Sequence, residues 1–390
     1  MLQDIALILL FGLIFYAFFQ WLKLPGLIGL LLLGMVLGPY GLGWLGDELM
    51  LISGDIRSIA LVVILLRAGL GLQRQAMKDL GFVTIKMSVL PVLIEGAVIV
   101  LLAYTFLSLS FIESGMLGFI IAAVSPAVIV PAMLELIKHH RGTKRRIPQL
   151  ILASTSLDDV IAITIFTMFL SAGLTQQSWF IGIIQLPISL LLGVLLGLLV
   201  GWVFAYVFKR YRIRDSKKIL LLLSAGIFLL LLEDFLSSRL PIAALLGVMA
   251  IGVVLTDRRP ELAERLALKS EKIWIMAELF LFVLVGATVN IPLALDVGLL
   301  GVGLISAGLL GRGLGVYLAT INSGFTTKER VFLAISFTPK ATVQAAIGSL
   351  PLAFGFPQGE LILALSVLSV LLTAPIGAIA IQKTQARLLA

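Results

Sequence analysis

Apolar runs near 20 residues recur from one end of the chain to the other. A helix rises 1.5 Å per residue, so a run of that length crosses a ~30 Å hydrocarbon core. Thirteen such spans are read, at about 2–22, 25–44, 55–73, 80–107, 115–137, 148–171, 180–208, 219–236, 241–257, 272–290, 296–321, 331–354 and 359–382. The connections are short and leave no room for a separate soluble domain. Only 13% of the residues are charged, against roughly a quarter in a soluble domain. The fold class expected is an all-α polytopic membrane protein of about thirteen transmembrane helices. The first run lacks a basic n-region, carries Asp4 and shows no small-residue cleavage site, so it reads as a retained helix rather than a signal peptide.

A net charge of +8 could indicate nucleic acid, but its distribution points elsewhere. Lys and Arg concentrate in alternate connections: "KHHRGTKRR" (138–146), "KRYRIRDSKK" (209–218), "DRRPELAERLALKSEK" (257–272) and "TTKER" (326–330). The opposite set holds little beyond Arg57 and Arg239. Cytoplasmic loops carry such an excess, so the N-terminus is expected outside and the C-terminus inside, with no role in nucleic-acid binding. Cysteine is absent, which excludes disulfides and thiolate chemistry. The two histidines, His139 and His140, are adjacent in a basic loop and make no metal site by themselves. No cofactor is expected.

Two spans are interrupted. The fifth reads "AAVSPAVIVPAML", with Pro126 and Pro131, and the twelfth reads "AISFTPKATVQAAIG", with Pro339 beside Lys340. Proline removes a backbone donor and clashes with the preceding turn. At membrane depth, freed backbone survives only where protein or a wet cavity satisfies it. The breaks begin alike, with Ser125-Pro126 and Thr338-Pro339, and lie seven spans apart, so the two spans run in opposite directions. That pattern marks an inverted repeat. Residues 1–171 and 219–382 form the two copies, joined by a linker span at 180–208; two independent kinks are the plain alternative. The linker carries Gly193, Gly197 and Gly201 at four-residue spacing, a close-packing stripe. The "GRGLG" at 311–315 lacks the strand and spacing of a dinucleotide loop.

Few ionisable residues fall inside spans. Each costs about 3 kcal/mol or more at the bilayer centre, so each needs a partner, water or a function. Arg67, some six residues from the end of its span, can snorkel to the interface. Glu95 lies 31 residues before Pro126 and Arg312 lies 27 before Pro339. These near-equivalent places suggest an ion pair at the pseudo-twofold axis, which could be purely structural. Lys340 sits where half-helices meet and can offset the partial negative charge of helix C-terminal ends. Asp158 and Asp159, near the middle of "ILASTSLDDVIAITIF", cannot both ionise cheaply without a cation, so the pair titrates as a unit. Deprotonated, it offers oxygen ligands to a small hard cation. Ser154 and Thr155, one turn earlier, and Ser125 at the break are possible further ligands. Proton and metal cation would then compete for one site. Counting 32 residues from Pro126 reaches Asp158, whereas the same count from Pro339 reaches Leu371, so one site is expected rather than two.

Together, "AAVSPAVIVPAML", "ASTSLDDVIAITIF", "TPKATVQAAIGSL" and "LLRAGLGL" (65–72) resemble the sodium/proton antiporters of the cation/proton antiporter superfamily. The similarity is greatest to the NHA-like branch with its Asp-Asp motif. The resemblance implies two crossing broken helices, with a core of spans four to six and eleven to thirteen. It places spans one to three and eight to ten in a dimerisation panel, and implies a homodimer in the cell membrane with elevator-like alternating access. Asp159 would be the principal ion-binding carboxylate for Na+ or Li+, and Asp158 its partner. Glu95 and Arg312 would be the core ion pair and Lys340 the break-region lysine. Electrogenic relatives carry a lysine where this chain has Arg312. A guanidinium does not deprotonate in proteins, so one cation per proton is expected. A potassium/proton antiporter remains an alternative, since ligand geometry sets ion preference. A cation channel and an intramembrane aspartyl protease are more remote. The protease needs two aspartates flanking a peptide bond, which adjacent residues on one helix cannot do.

Overall fold

Residues 1–71, 81–175, 179–236, 240 and 242–389 are described by the computed structural model, and their regular elements are all helices. The apolar runs have the length and continuity to satisfy their backbone internally, which is what hydrocarbon demands. In chain order the helices are α1 (Leu2–Trp21), α2 (Gly26–Leu37), α3 (Asp47–Leu51), α4 (Ser53–Gly71), α5 (Phe82–Phe106), α6 (Phe111–Ala122), α7 (Pro126–Lys138), α8 (Ile147–Thr175) and α9 (Trp179–Arg210). They continue with α10 (Asp215–Leu236), α11 (Ala244–Arg258), α12 (Pro260–Ala287), α13 (Ile291–Asp296), α14 (Gly298–Ala319), α15 (Thr327–Ser336), α16 (Thr342–Ile347), α17 (Leu350–Ala353) and α18 (Gly359–Leu388). Over its described residues, each hydrophobic span of the sequence contains a helix or a broken helix, although α2 ends at Leu37, short of the expected limit at 44. Seven helices among the described residues are long and apolar enough to cross a membrane unaided. Large apolar side chains such as Leu10, Leu191, Phe228, Leu299 and Leu310 stand more than half exposed on these helices, as lipid-facing residues do. Arg239 and Leu72 lie outside the described residues.

Both proline-marked spans are broken where expected. The fifth divides into α6 and α7, with Ala123 and Ser125 in extended backbone between them. The twelfth divides into α15 and α16 across Phe337 to Ala341. The half-helix entering each break starts from a capping box, Ser110 with Glu113 for α6 and Thr326 with Glu329 for α15. Each box satisfies two orphan donors of a helix terminus.

The chain forms two compact units. The first comprises residues 1–53, 76–173 and 281–390. Within it α5 and α14 pack most extensively, and a Cβ on Gly315 of α14 would collide with the backbone of Pro91. Spans four to six and eleven to thirteen fall together there, as expected. Spans one and two fall there as well, instead of grouping with span three. The cause is close backbone packing: a Cβ on Gly34 of α2 would collide with the carbonyl of Val283 in the last turns of α12. The second unit comprises residues 54–75 and 174–280. Its core joins Leu66 and Leu70 of α4 with Phe208, Leu222, Val248 and Leu266. The glycine stripe of α9 packs on α11, where a Cβ on Gly197 would collide with the Gly247 carbonyl. Arg67 is about one-third exposed and lies 3.4 Å from Glu271, in keeping with a snorkelled side chain.

Candidate functional site

The site lies in the first unit, where the two breaks touch. The Ser125 N–H donates to the Pro339 carbonyl at 2.8 Å, so freed backbone of one break meets freed backbone of the other. A helix end leaves carbonyls without intrahelical partners. At the end of α6 side chains from elsewhere take them. Arg312 Nη2 bonds the Ala122 carbonyl, and Lys340 Nζ donates to the same oxygen at 3.2 Å. Gln344 Nε2 donates to the Ile120 and Ala123 carbonyls, each at 2.8 Å. These cationic and amide donors sit at the negative pole of the half-helix, where positive charge is favoured.

Five charged side chains are buried here: Glu95, Asp158, Asp159, Arg312 and Lys340, none more than 6% exposed. Arg312 Nε pairs with Glu95 Oε2, and its Nη1 lies 3.1 Å from Asp158 Oδ1. Phe337 lies under the guanidinium at 5.8 Å. Lys340 Nζ reaches Glu95 Oε2 at 2.7 Å. Asp158 Oδ2 also accepts the Val124 N–H at 3.0 Å, so both Asp158 oxygens are engaged. At the other break, the Lys340 N–H is accepted by Thr373 Oγ1 of α18 at 2.9 Å. A neutral hydroxyl thus receives one break's amide where a carboxylate receives the other's.

Asp159 stands apart. Its Oδ1 is buried and has no hydrogen-bond partner among the described residues, and it forms no ion pair among them. Three carboxylates therefore face two cations, and the third is Asp159. The hydroxyl of Ser125 is buried and likewise unpartnered. Ser154 donates to the Leu150 carbonyl at 2.6 Å and Thr155 to that of Leu152 at 3.3 Å. Their hydrogens are used within α8, which leaves only lone pairs for another ligand. Among the described residues no three His, Cys, Asp or Glu gather as a multivalent metal site would require. A carboxylate outside the ion pairs and hydroxyl lone pairs are oxygen ligands of the kind hard cations take.

The structure brings Glu95 to Arg312, and Lys340 to a helix C-terminal end, as the sequence led us to expect. The bond from Lys340 to Glu95, the shared engagement of Asp158 by Arg312 and Val124, and the part played by Gln344 were not anticipated. A polar glutamine two residues into a half-helix was a visible signal, but its partners lie more than 220 residues earlier in the chain.

A buried, charge-paired cluster thus lies where two helix breaks meet, with one carboxylate outside its ion pairs among the described residues. The family model described as "Sodium/hydrogen exchanger, transmembrane" matches residues 5–384. The chain belongs to that family, the secondary active Na+/H+ antiporters of the cation/proton antiporter superfamily, and is a transporter rather than an enzyme. Among curated relatives, sodium/hydrogen exchanger 9B2 of Homo sapiens is 32% identical over 94% of this chain and 70% of its own length. The Mus musculus protein of the same name is 32% identical over 95% of this chain and 69% of its own. The sodium proton antiporter MjNhaP1 from Methanocaldococcus jannaschii, solved at pH 8, superposes with a TM-score of 0.86. At 20% identity over 98% of this chain and 97% of that one, this likeness establishes the shared fold.

Proposed function

We propose that Asp159 is the carboxylate at which sodium and protons exchange, one for one. The observation that carries this is the charge balance of the buried cluster. Glu95 and Asp158 are offset by Arg312 and Lys340. With either Na+ or a proton on Asp159, the cluster is neutral. Empty, it carries one uncompensated negative charge, and moving that through hydrocarbon is expensive. The loaded states therefore cross and the empty state does not, which couples the two fluxes. Because both loaded states carry the same charge, exchange is electroneutral. Arg312 supports this reading, since a guanidinium holds its proton throughout the cycle.

Asp158 holds the break and shapes the site from the neighbouring position. Ser125, with its unpartnered hydroxyl, is the first choice for a second ligand, and Ser154 and Thr155 contribute lone pairs. Lithium shares the chemistry of sodium, and potassium remains the alternative substrate. Access alternates by an elevator-like movement of the body that carries the cluster. Residues 1–171 and 219–382 act as inverted copies around the linker helix at 180–208. The protein works as a homodimer in the cell membrane, N-terminus outside and C-terminus in the cytoplasm.

The test is exchange in proteoliposomes that hold an inside-acid pH gradient. Added sodium, lithium or potassium is compared for its ability to dissipate the gradient. Wild type should respond to sodium, and Asp159→Asn should lose at least 90% of the rate while remaining folded and monodisperse. Full exchange by Asp159→Asn would remove Asp159 from the site.

A further inference from the structure

We infer that Gln344 is a positioning residue for ion exchange, acting on the aspartate pair through the Ala123–Val124 peptide plane. This rests on the reading of Asp158 and Asp159 as the exchange site. Gln344 is fully buried on α16, the half-helix that follows the second break. Its amide donates to the carbonyls of Ile120 and Ala123 in the first broken span. The Ala123 carbonyl belongs to the same peptide group as the Val124 N–H, and that N–H donates to Asp158 Oδ2 at 3.0 Å. A peptide group is planar, held so by the partial double-bond character of its C–N bond. Fixing the oxygen of the plane therefore aims its N–H. Gln344 holds one end of a rigid plate and Asp158 receives the other.

The neighbouring acceptor is handled differently. The Ala122 carbonyl is taken by the cations Arg312 and Lys340. Neither cation bonds the Ala123 carbonyl, which has Gln344 as its side-chain donor among the described residues. An amide suits this place because it donates hydrogen bonds without adding charge. A lysine or arginine there would neutralise the empty cluster and remove the charge imbalance that ties sodium flux to proton flux. With Gln344 in place, Asp158 stays committed to Val124 and Arg312, and Asp159 is left as the open carboxylate. The same side chain also holds the two broken helices to each other, beside the Ser125 to Pro339 backbone bond.

The experiment compares wild type, Gln344→Leu and Gln344→Asn in proteoliposomes. Rates are normalised to folded protein, with sodium titrated at several pH values. Leucine removes the donors at similar volume. Asparagine keeps an amide one methylene shorter, reaches fewer of the carbonyls, and serves if the leucine variant fails to fold. The expected result for Gln344→Leu is a rise of fivefold or more in half-saturating sodium. Its maximal rate at saturating sodium should change by less than twofold, because Gln344 positions the site and itself carries neither ion nor proton. Asparagine should fall between the two. In a double-mutant cycle, adding Asp158→Asn to Gln344→Leu should raise half-saturating sodium by less than the product of the separate factors, since both act through one peptide plane. A merely structural glutamine would lower thermal stability while leaving half-saturating sodium at its wild-type value, and that result overturns the inference. The outcome is separable from failure of the site itself, which Asp159→Asn reports in the same assay.

Discussion

Arg312 engages more partners of the buried cluster than the other cation, Lys340, does. One guanidinium serves Glu95, Asp158 and the Ala122 carbonyl, and its planar fork can reach several acceptors at once. Removing one partner of a buried ion pair leaves an uncompensated charge and costs about 3–5 kcal/mol. Arg312→Ala should therefore melt well below wild type in detergent, whereas Arg312→Lys should fall between them because it keeps the charge and loses the fork. A lysine variant that melts with wild type would show that the fork geometry contributes nothing. Much of this cluster was legible in the sequence, because an ionisable residue in an apolar span is conspicuous and the offsets of Glu95 and Arg312 from their prolines, 31 and 27 residues, are close. The division of labour between Asp158 and Asp159 was less so. Adjacent residues on a helix point about 100° apart, and only the position of the facing groups decides which carboxylate is spent on Arg312 and Val124.

The broken helices are held at both ends, and the two ends correspond. Glu113 of the α6 capping box also accepts the Gln358 N–H, just before α18, at 3.0 Å. Glu329 of the α15 box pairs with Arg145, just before α8, at 3.1 Å. In each case the capping acid at the start of one broken span holds the approach to the long helix that follows the other broken span. Losing a cap costs about 1 kcal/mol, so Glu113→Ala and Glu329→Ala should each lower thermal stability by that order or slightly more. The two losses should add in the double variant, because the groups share no partner. A melting series of the three variants checks this, and a strongly non-additive double variant would indicate that the two clasps communicate. The glycine stripe gives a contrasting prediction. Gly197→Ala overpacks α9 against α11 and should cost about 1–3 kcal/mol, with half-saturating sodium unchanged because the contact lies in the second unit. Breaks and stripe were readable from Pro and Gly spacing, which acts locally. The clasps were not, since a capping box announces a helix start and says nothing of a second partner in the distant chain.

For the whole molecule, hydropathy settles the class because apolar runs are a one-dimensional signal. The grouping of helices is a three-dimensional one, and spans one and two joined the site-bearing unit through a glycine contact that no periodicity displays. Orientation is testable directly, since the chain has no cysteine to give background labelling. On intact cells a membrane-impermeant maleimide should label Glu48→Cys, whereas His140→Cys should label only after permeabilisation. The reverse pattern would invert the topology. Electroneutrality is likewise a property of the complete cycle. Sodium-driven proton flux should be the same with and without an imposed membrane potential, and a rate that follows the potential would contradict exchange of one ion for one proton.

In the proposed mechanism sodium and the proton compete for one carboxylate. Competition at a single site links the two affinities reciprocally. The direct measurement is half-saturating sodium for exchange as a function of pH. On the acid limb it should rise about tenfold for each unit the pH falls, with the maximal rate at saturating sodium unchanged. A half-saturation that stays constant across pH, while the maximal rate falls, would place the proton somewhere other than on the sodium site.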